Sequence, residues 1–124
     1  MKLIENYKQQ YNGAFKGATS KQSVNKILNH YSVSNEMYKT WLIETGGGPI
    51  GSDWYDGIEE LEQSQKKLKE EPWNISGFVI GWDGAGNPLV LQESGEILTE
   101  DHNFNGVYKV ASSFEQLLVK NVSS

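Results

Sequence analysis

An α+β fold, with a central antiparallel or mixed sheet packed against several helices in a single domain, is the architecture this sequence predicts. Three observations carry that expectation. The stretch 75–102, ISGFVIGWDGAGNPLVLQESGEILTEDH, alternates apolar runs with turn clusters and has no helical periodicity between them, so it reads as a meander. Segments before and after it carry apolar residues three and four apart, each giving one stripe suited to covering a sheet face. The chain has 124 residues, the size of a single domain, enough to bury roughly 65% of the surface its unfolded form exposes.

Taken in order, Leu3, Ile4, Tyr7 and Tyr11 line one face of a short helix that Asn12-Gly13 ends. Ala14 to Gly17 is an extended connector. From Ser20, the spacing Val24, Ile27, Leu28, Tyr31 gives a second helix, which Ser32 to Asn35 interrupts with residues that favour turns and caps. Met37, Tyr38, Trp41 and Leu42 share a face of a third helix, stopped by Gly46-Gly47-Gly48-Pro49. Ser52 to Tyr55 reads as a short edge strand or an exposed aromatic turn. Asp56 and Glu59 have capping-box spacing at the start of a charged helix whose narrow stripe is Ile58, Leu61, Gln65 and Leu68. Pro72 ends it, and its polarity places it at the periphery. Phe78–Trp82 and Pro88–Leu91 are strands joined by the turn Asp83 to Asn87, and Ser94-Gly95 leads into a third, Glu96–Thr99. Asn103 to Gly106 makes a tight turn before a last strand, Val107–Val110. Ser112 and Glu115 again have capping-box spacing, before a terminal helix with Phe114, Leu117, Leu118 and Val122 inward.

Charge is unevenly distributed within the net −5. Residues 1–45 carry six lysines against Glu5, Glu36 and Glu44, a balance of +3, whereas residues 46–124 carry five lysines against thirteen acids, a balance of −8. No basic residue falls between Lys69 and Lys109, an interval holding Glu70, Glu71, Asp83, Glu93, Glu96, Glu100 and Asp101. The chain also lacks arginine, the usual bidentate partner of phosphate, so direct nucleic-acid binding is not expected. With no cysteine, a disulfide framework and a thiolate zinc site are excluded. The N-terminal stretch has no long apolar run of the kind a secretory signal or membrane span requires, so a cytoplasmic protein is expected.

Motifs with catalytic or ligand-binding precedent fail on context. Gly46 to Gly51 formally satisfies G-x-G-x-x-G but follows a helix and contains a proline, whereas a dinucleotide fingerprint follows a strand and opens a helix. A glycine-rich exit from a helix into a strand explains it better. His30 and His102 are the two histidines, and neither accompanies a nucleophile elbow. In an extended Glu100-Asp101-His102 only Glu100 and His102 converge, too few for a metal, and Asp101-His102 reads as a local hydrogen-bonded pair fixing the turn before Asn103. The Asp83 to Asn87 turn resembles a calcium loop only superficially, since Ser94 stands where the bidentate glutamate belongs. No catalytic residue, metal site or cofactor is expected.

In the order and spacing of several segments the chain resembles the SUKH superfamily, bacterial immunity proteins together with the fungal Smi/Knr cell-wall regulators. The helix EMYKTWLIETGGG matches an aromatic-rich helix ending in glycines, GFVIGWDGAGNPLVL a hairpin with a D-G-x-G turn, GEILTEDHNF a short strand leading to Asp-His, and VASSFEQLL a terminal A-x-S-F-x-x-x-L helix. The likeness spans roughly residues 20–120 of a single domain over 1–124. Val33-Ser34 departs from it, standing where members commonly have Leu-Pro. The resemblance implies a non-enzymatic antitoxin that neutralises a toxin, often a nuclease, by binding it, or alternatively a regulatory or scaffolding module like the fungal members. A nuclease presents a cationic groove to phosphates, and an anionic surface can occupy it. Glu93, Glu96, Glu100 and Asp101 are the candidates for that surface, with Trp54 and Tyr55 as aromatic anchors. The alternatives are a solvated, aggregation-resistant sheet edge for the acids and core packing for the aromatics.

Overall fold

A computed structural model describes residues 2–103 and 106–123. Helices α1 (Lys2–Gln10), α2 (Lys21–His30) and α3 (Glu36–Thr45) come first, then strands β1 (Gly48–Ile50) and β2 (Asp53–Tyr55) and helix α4 (Ile58–Glu70). Strands β3 (Phe78–Trp82), β4 (Pro88–Leu91), β5 (Ile97–Asp101) and β6 (Gly106–Ala111) follow, and α5 (Phe114–Asn121) closes the chain. The six strands lie in sequence order, every neighbouring pair antiparallel. The fold is thus α+β with a purely antiparallel sheet.

Local chemistry accounts for the element ends. The Ser20 and Asn35 side chains accept from the amides of Ser23 and Tyr38, capping α2 and α3. Gly46 ends α3 at φ 70°, and a Cβ there would stand 2.0 Å from the Gly17 carbonyl oxygen, so only glycine fits. Two caps are displaced by one residue from their expected positions. At α4 the cap is Gly57, whose amide donates to Glu60, because the Asp56 carboxylate is engaged by Ser64 instead. At α5 it is Ser113, which accepts from Gln116 N. The stretch Gly46 to Gly51, expected only as an exit from α3 toward a strand at Ser52 to Tyr55, itself holds an unexpected strand, β1, which is the sheet edge and carries Pro49 where no inner ladder bond is needed. This moves β2, expected as an edge strand or turn, one place inward. Phe104 and Asn105 of the expected tight turn lie outside the described residues.

Four helices cover one face of the sheet. Tyr7, Leu28, Tyr38, Trp41, Leu42, Phe114 and Leu118 pack there on Ile50, Tyr55, Phe78, Ile80, Leu89 and Ile97 in one buried cluster. The other face is far more open. It carries a small cluster, Ile75, Val79 and Val90, with Leu68, Trp73, Trp82 and Leu98 partly buried against it. Helix α4 straddles the boundary: Leu61 belongs to the large core, Leu68 to the small cluster, and Gln65 lies between.

A β-bulge decides what the open face displays. Phe78 pairs with Leu91 and Val79 with Val90, but Gly81 then pairs with Leu89, leaving Ile80 as the extra residue. Strict alternation from Phe78 would point Trp82 into the core; one inserted residue turns it to the open face, opposite Trp54 of β2. Gly81 makes this possible. A Cβ there would stand 2.4 Å from the Trp54 carbonyl oxygen, closer than any side chain tolerates.

Candidate functional site

Three tryptophans lie along the open face, and each is tied to helix α4 or its cap. Trp54 Nε1 donates to Glu60 Oε1 at 3.4 Å, Trp82 Nε1 to Ser64 Oγ at 2.9 Å, and Trp73 Nε1 to Glu71 Oε2 at 2.9 Å. Lys67 adds its ammonium over the Trp82 ring, 4.5 Å from the centroid. Residues 60, 64, 67 and 71 are spaced four, three and four apart, so one polar stripe of α4 supplies all these contacts. The rings also meet one another: Trp73 lies 6.4 Å from Trp82 and 6.1 Å, edge-on, from His102.

Beneath this row a hydrogen-bonded chain enters the core. Ser64 Oγ accepts from Trp82 and donates to Asp56, which is only 3% exposed. Burial pushes the Asp56 carboxyl up to about 6; the Ser64 hydrogen bond works against that shift, nearby Glu60 adds to it and Lys16 opposes it. Burial works in the same direction on Glu60. There, however, the Gly57 amide, the Trp54 indole and Lys16 together prevail and hold it below the usual carboxylate range.

A cleft of about 550 Å³ opens on this face, lined by Lys67, Glu71, Trp73, Asn74, Glu100 and His102 among others. Its walls are fixed. Asp83 Oδ2 accepts from Asn87 Nδ2, which turns Asn87 Oδ1 toward His102, where it accepts from the backbone amide and meets Nδ1 of the ring. Because a carboxylate only accepts, the amide orientation is set, and Nδ1 of His102 must carry a proton. His102 is therefore held by Asn87, fifteen residues away, rather than serving only the local turn; Asp101 Oδ1 accepts from the Asn103 amide. The Asp83 carboxylate is filled by its own turn, accepting from the amides of Ala85 and Asn87. Among the described residues no cluster of three or more His, Cys, Asp or Glu is arranged to hold a metal ion.

The six candidates from the sequence do not form one surface. Glu93 is exposed in the β4–β5 turn, beside a second cavity of about 490 Å³ lined by Tyr31, Phe78 and Lys69 among others. Glu96 follows in that turn, its charge paired with Lys109 at 3.6 Å. Asp101 stands at the opposite end of β5. Glu100 is withdrawn from solvent, 7% exposed, because its carboxylate accepts from the amides of Asn74 and Ile75, both at 2.7 Å, and from Asn74 Nδ2. It clamps the loop after α4 to β5. Tyr55 is 1% exposed in the aromatic core and offers no surface anchor, whereas Trp54 is 36% exposed. Another acidic pair was missed: Asp53 and Asp83 lie close enough that Asp83, after burial, helps push the Asp53 carboxyl up. Trp73 and Trp82 were also missed. The polar stripe of α4 was visible in the sequence, but such a stripe ordinarily marks a solvated face.

The chain matches no family model and no curated protein. Among the described residues, no helix is long and apolar enough to cross a membrane.

Proposed function

We propose that the protein is a non-enzymatic immunity protein, a cytoplasmic antitoxin that neutralises a basic toxin domain of nuclease type by binding it. The observation that carries this reading is the row Trp54, Trp82, Trp73, with each indole N–H already engaged by α4. Tryptophan dominates binding hot spots, and rings held in place before association lose little entropy on it. Charge supplies the choice of partner. The net −5 places acids at both ends of the meander, Glu93 and Glu96 at one and Asp53, Asp83 and Asp101 at the other. The charge is spread over two ends and forms no single patch, so it acts through the long-range field of an acidic protein, which draws in a basic partner and raises the association rate. The resemblance to the SUKH immunity proteins points to the same role.

The test is co-expression with nuclease-type toxin domains, beginning with any encoded beside the gene. Wild-type protein restores growth and co-purifies with one such domain, and Trp54→Ala with its fold intact weakens the complex by about 2 kcal/mol or more if the ring is a hot spot. Unrestored growth together with no co-purification overturns the proposal.

A further inference from the structure

The cleft beside Trp73 brings two carboxylates, Glu100 and Glu71, to one indole with no ion pair to either among the described residues. Glu100, 7% exposed as a residue, lines it, and among the described residues no lysine or histidine forms an ion pair with its carboxylate. A carboxylate has about four acceptor sites, and three N–H groups fill three of them, leaving Oε2 one to spare. Glu71 lines the same cleft, with Oε2 on the Trp73 indole and Oε1 in no hydrogen bond or ion pair among the described residues. Lys67, also in the lining, lies over the ring of Trp82 and, among the described residues, within 4.0 Å of no carboxylate. A withdrawn carboxylate held only by neutral N–H donors still gains from a counter-charge brought to its free acceptor site. An indole wall flanked by two carboxylates suits a planar cation, and the Lys67 stack on Trp82 shows an ammonium already held on this face by an indole.

We infer that this cleft is a receptor for one arginine side chain of the partner, its guanidinium against Trp73 and its N–H groups on Glu71 and Glu100. The guanidinium supplies that counter-charge and its planar fork suits paired carboxylate oxygens, which makes arginine a better occupant than lysine. The inference relies on the proposed function for the existence of a basic partner; the receptor itself is tested without one.

The probe is N-acetyl-arginine amide, titrated into the protein while the Trp73 indole N–H resonance is followed by NMR. Saturable binding on the order of millimolar is expected from one stacked and ion-paired side chain. The lysine analogue binds more weakly, and the uncharged citrulline analogue leaves Trp73 unmoved. Glu100→Gln keeps the shape of the loop clamp and removes the charge, so it weakens arginine binding by about tenfold with its circular dichroism unchanged. Glu71→Gln provides the same test at a position that does not hold the loop amides of Asn74 and Ile75. Equal shifts with arginine and citrulline, or saturable binding that survives both Glu100→Gln and Glu71→Gln, overturn the inference. A toxin that binds the protein with the Trp73 resonance unmoved also overturns it, and leaves the immunity reading standing. Arginine binding without any neutralised toxin has the reverse meaning.

Discussion

The side-chain amide of Gln65 completes strand β3 as a neighbouring strand would: Oε1 accepts from Val79 N and Nε2 donates to Val79 O, both at 2.8 Å. Strand β2 pairs with β3 only at Trp54 and Tyr55 before the chain turns into α4, so beyond that point the edge of β3 has no strand beside it. Gln65, 6% exposed, fills the gap, and the second N–H of its amide goes to Leu61 O. A helix thereby covers an edge that would otherwise present unpaired backbone.

Gln65→Leu keeps the volume and removes the bonds, leaving the Val79 amide and carbonyl buried without partners. A loss of about 2–5 kcal/mol is expected in urea unfolding, from two unsatisfied backbone groups. A loss below 1 kcal/mol on this scale would mean that the β3 edge is satisfied by other means.

Asp56 sets a pH dependence of definite sign. Its folded value of about 6 lies above its ordinary 3.8, so the folded state retains a proton that the unfolded chain has released. This group's contribution to stability is greatest below the lower value, is lost as pH rises toward the upper one, and is flat beyond. Asp56→Asn removes the titration while keeping an acceptor for Ser64. The difference in Tm between the variant and wild type therefore rises in the variant's favour from about pH 4 to about pH 6.5; a difference independent of pH would show that Asp56 titrates normally in the fold.

Tyr55 carries a buried hydroxyl with no hydrogen-bond partner among the described residues, and burial pushes its phenol well above the usual range. Tyr55→Phe removes the unsatisfied group and leaves the ring against Trp41 and Phe114. The variant is expected to be more stable by up to about 1–2 kcal/mol in chemical denaturation. Destabilisation would reveal a partner for the hydroxyl.

At Gly81 even alanine is excluded. Its Cβ would press on the Trp54 carbonyl, and separating β2 from β3 would break the pairing that sets Trp54 beside Trp82. Gly81→Ala should cost about 3 kcal/mol or more and change the tryptophan fluorescence of the folded protein. A fluorescence spectrum and stability like those of wild type would contradict this contact.

The helices and the strands other than β1 were legible because each depends on a short-range rule: Val24, Ile27, Leu28 and Tyr31 recur at helical spacing, and FVIGW and PLVL flank a glycine-rich turn. The candidate site was much less so. Acidity alone grouped Glu93, Glu96, Glu100 and Asp101, yet β5 separates the first two from the last, and Glu100 turns inward to hold the loop amides of Asn74 and Ile75. The displaced cap at Gly57 has a similar origin, since Asp56 is drawn away by Ser64, a partner eight residues on.

By itself, then, the sequence determined the α+β class, the order of the elements other than the edge strand β1, and the charge asymmetry, all of which follow from local periodicity and composition. Tertiary structure alone decided which residues face outward. One extra residue at Ile80 reverses Trp82, and the polar stripe of α4 acquires its meaning only where Trp54, Trp73 and Trp82 come to meet it. The physical reason is that a strand's side-chain direction has a period of two, so a bulge invisible to hydropathy inverts a face, while hydrogen bonds between distant segments leave no periodic trace in either partner.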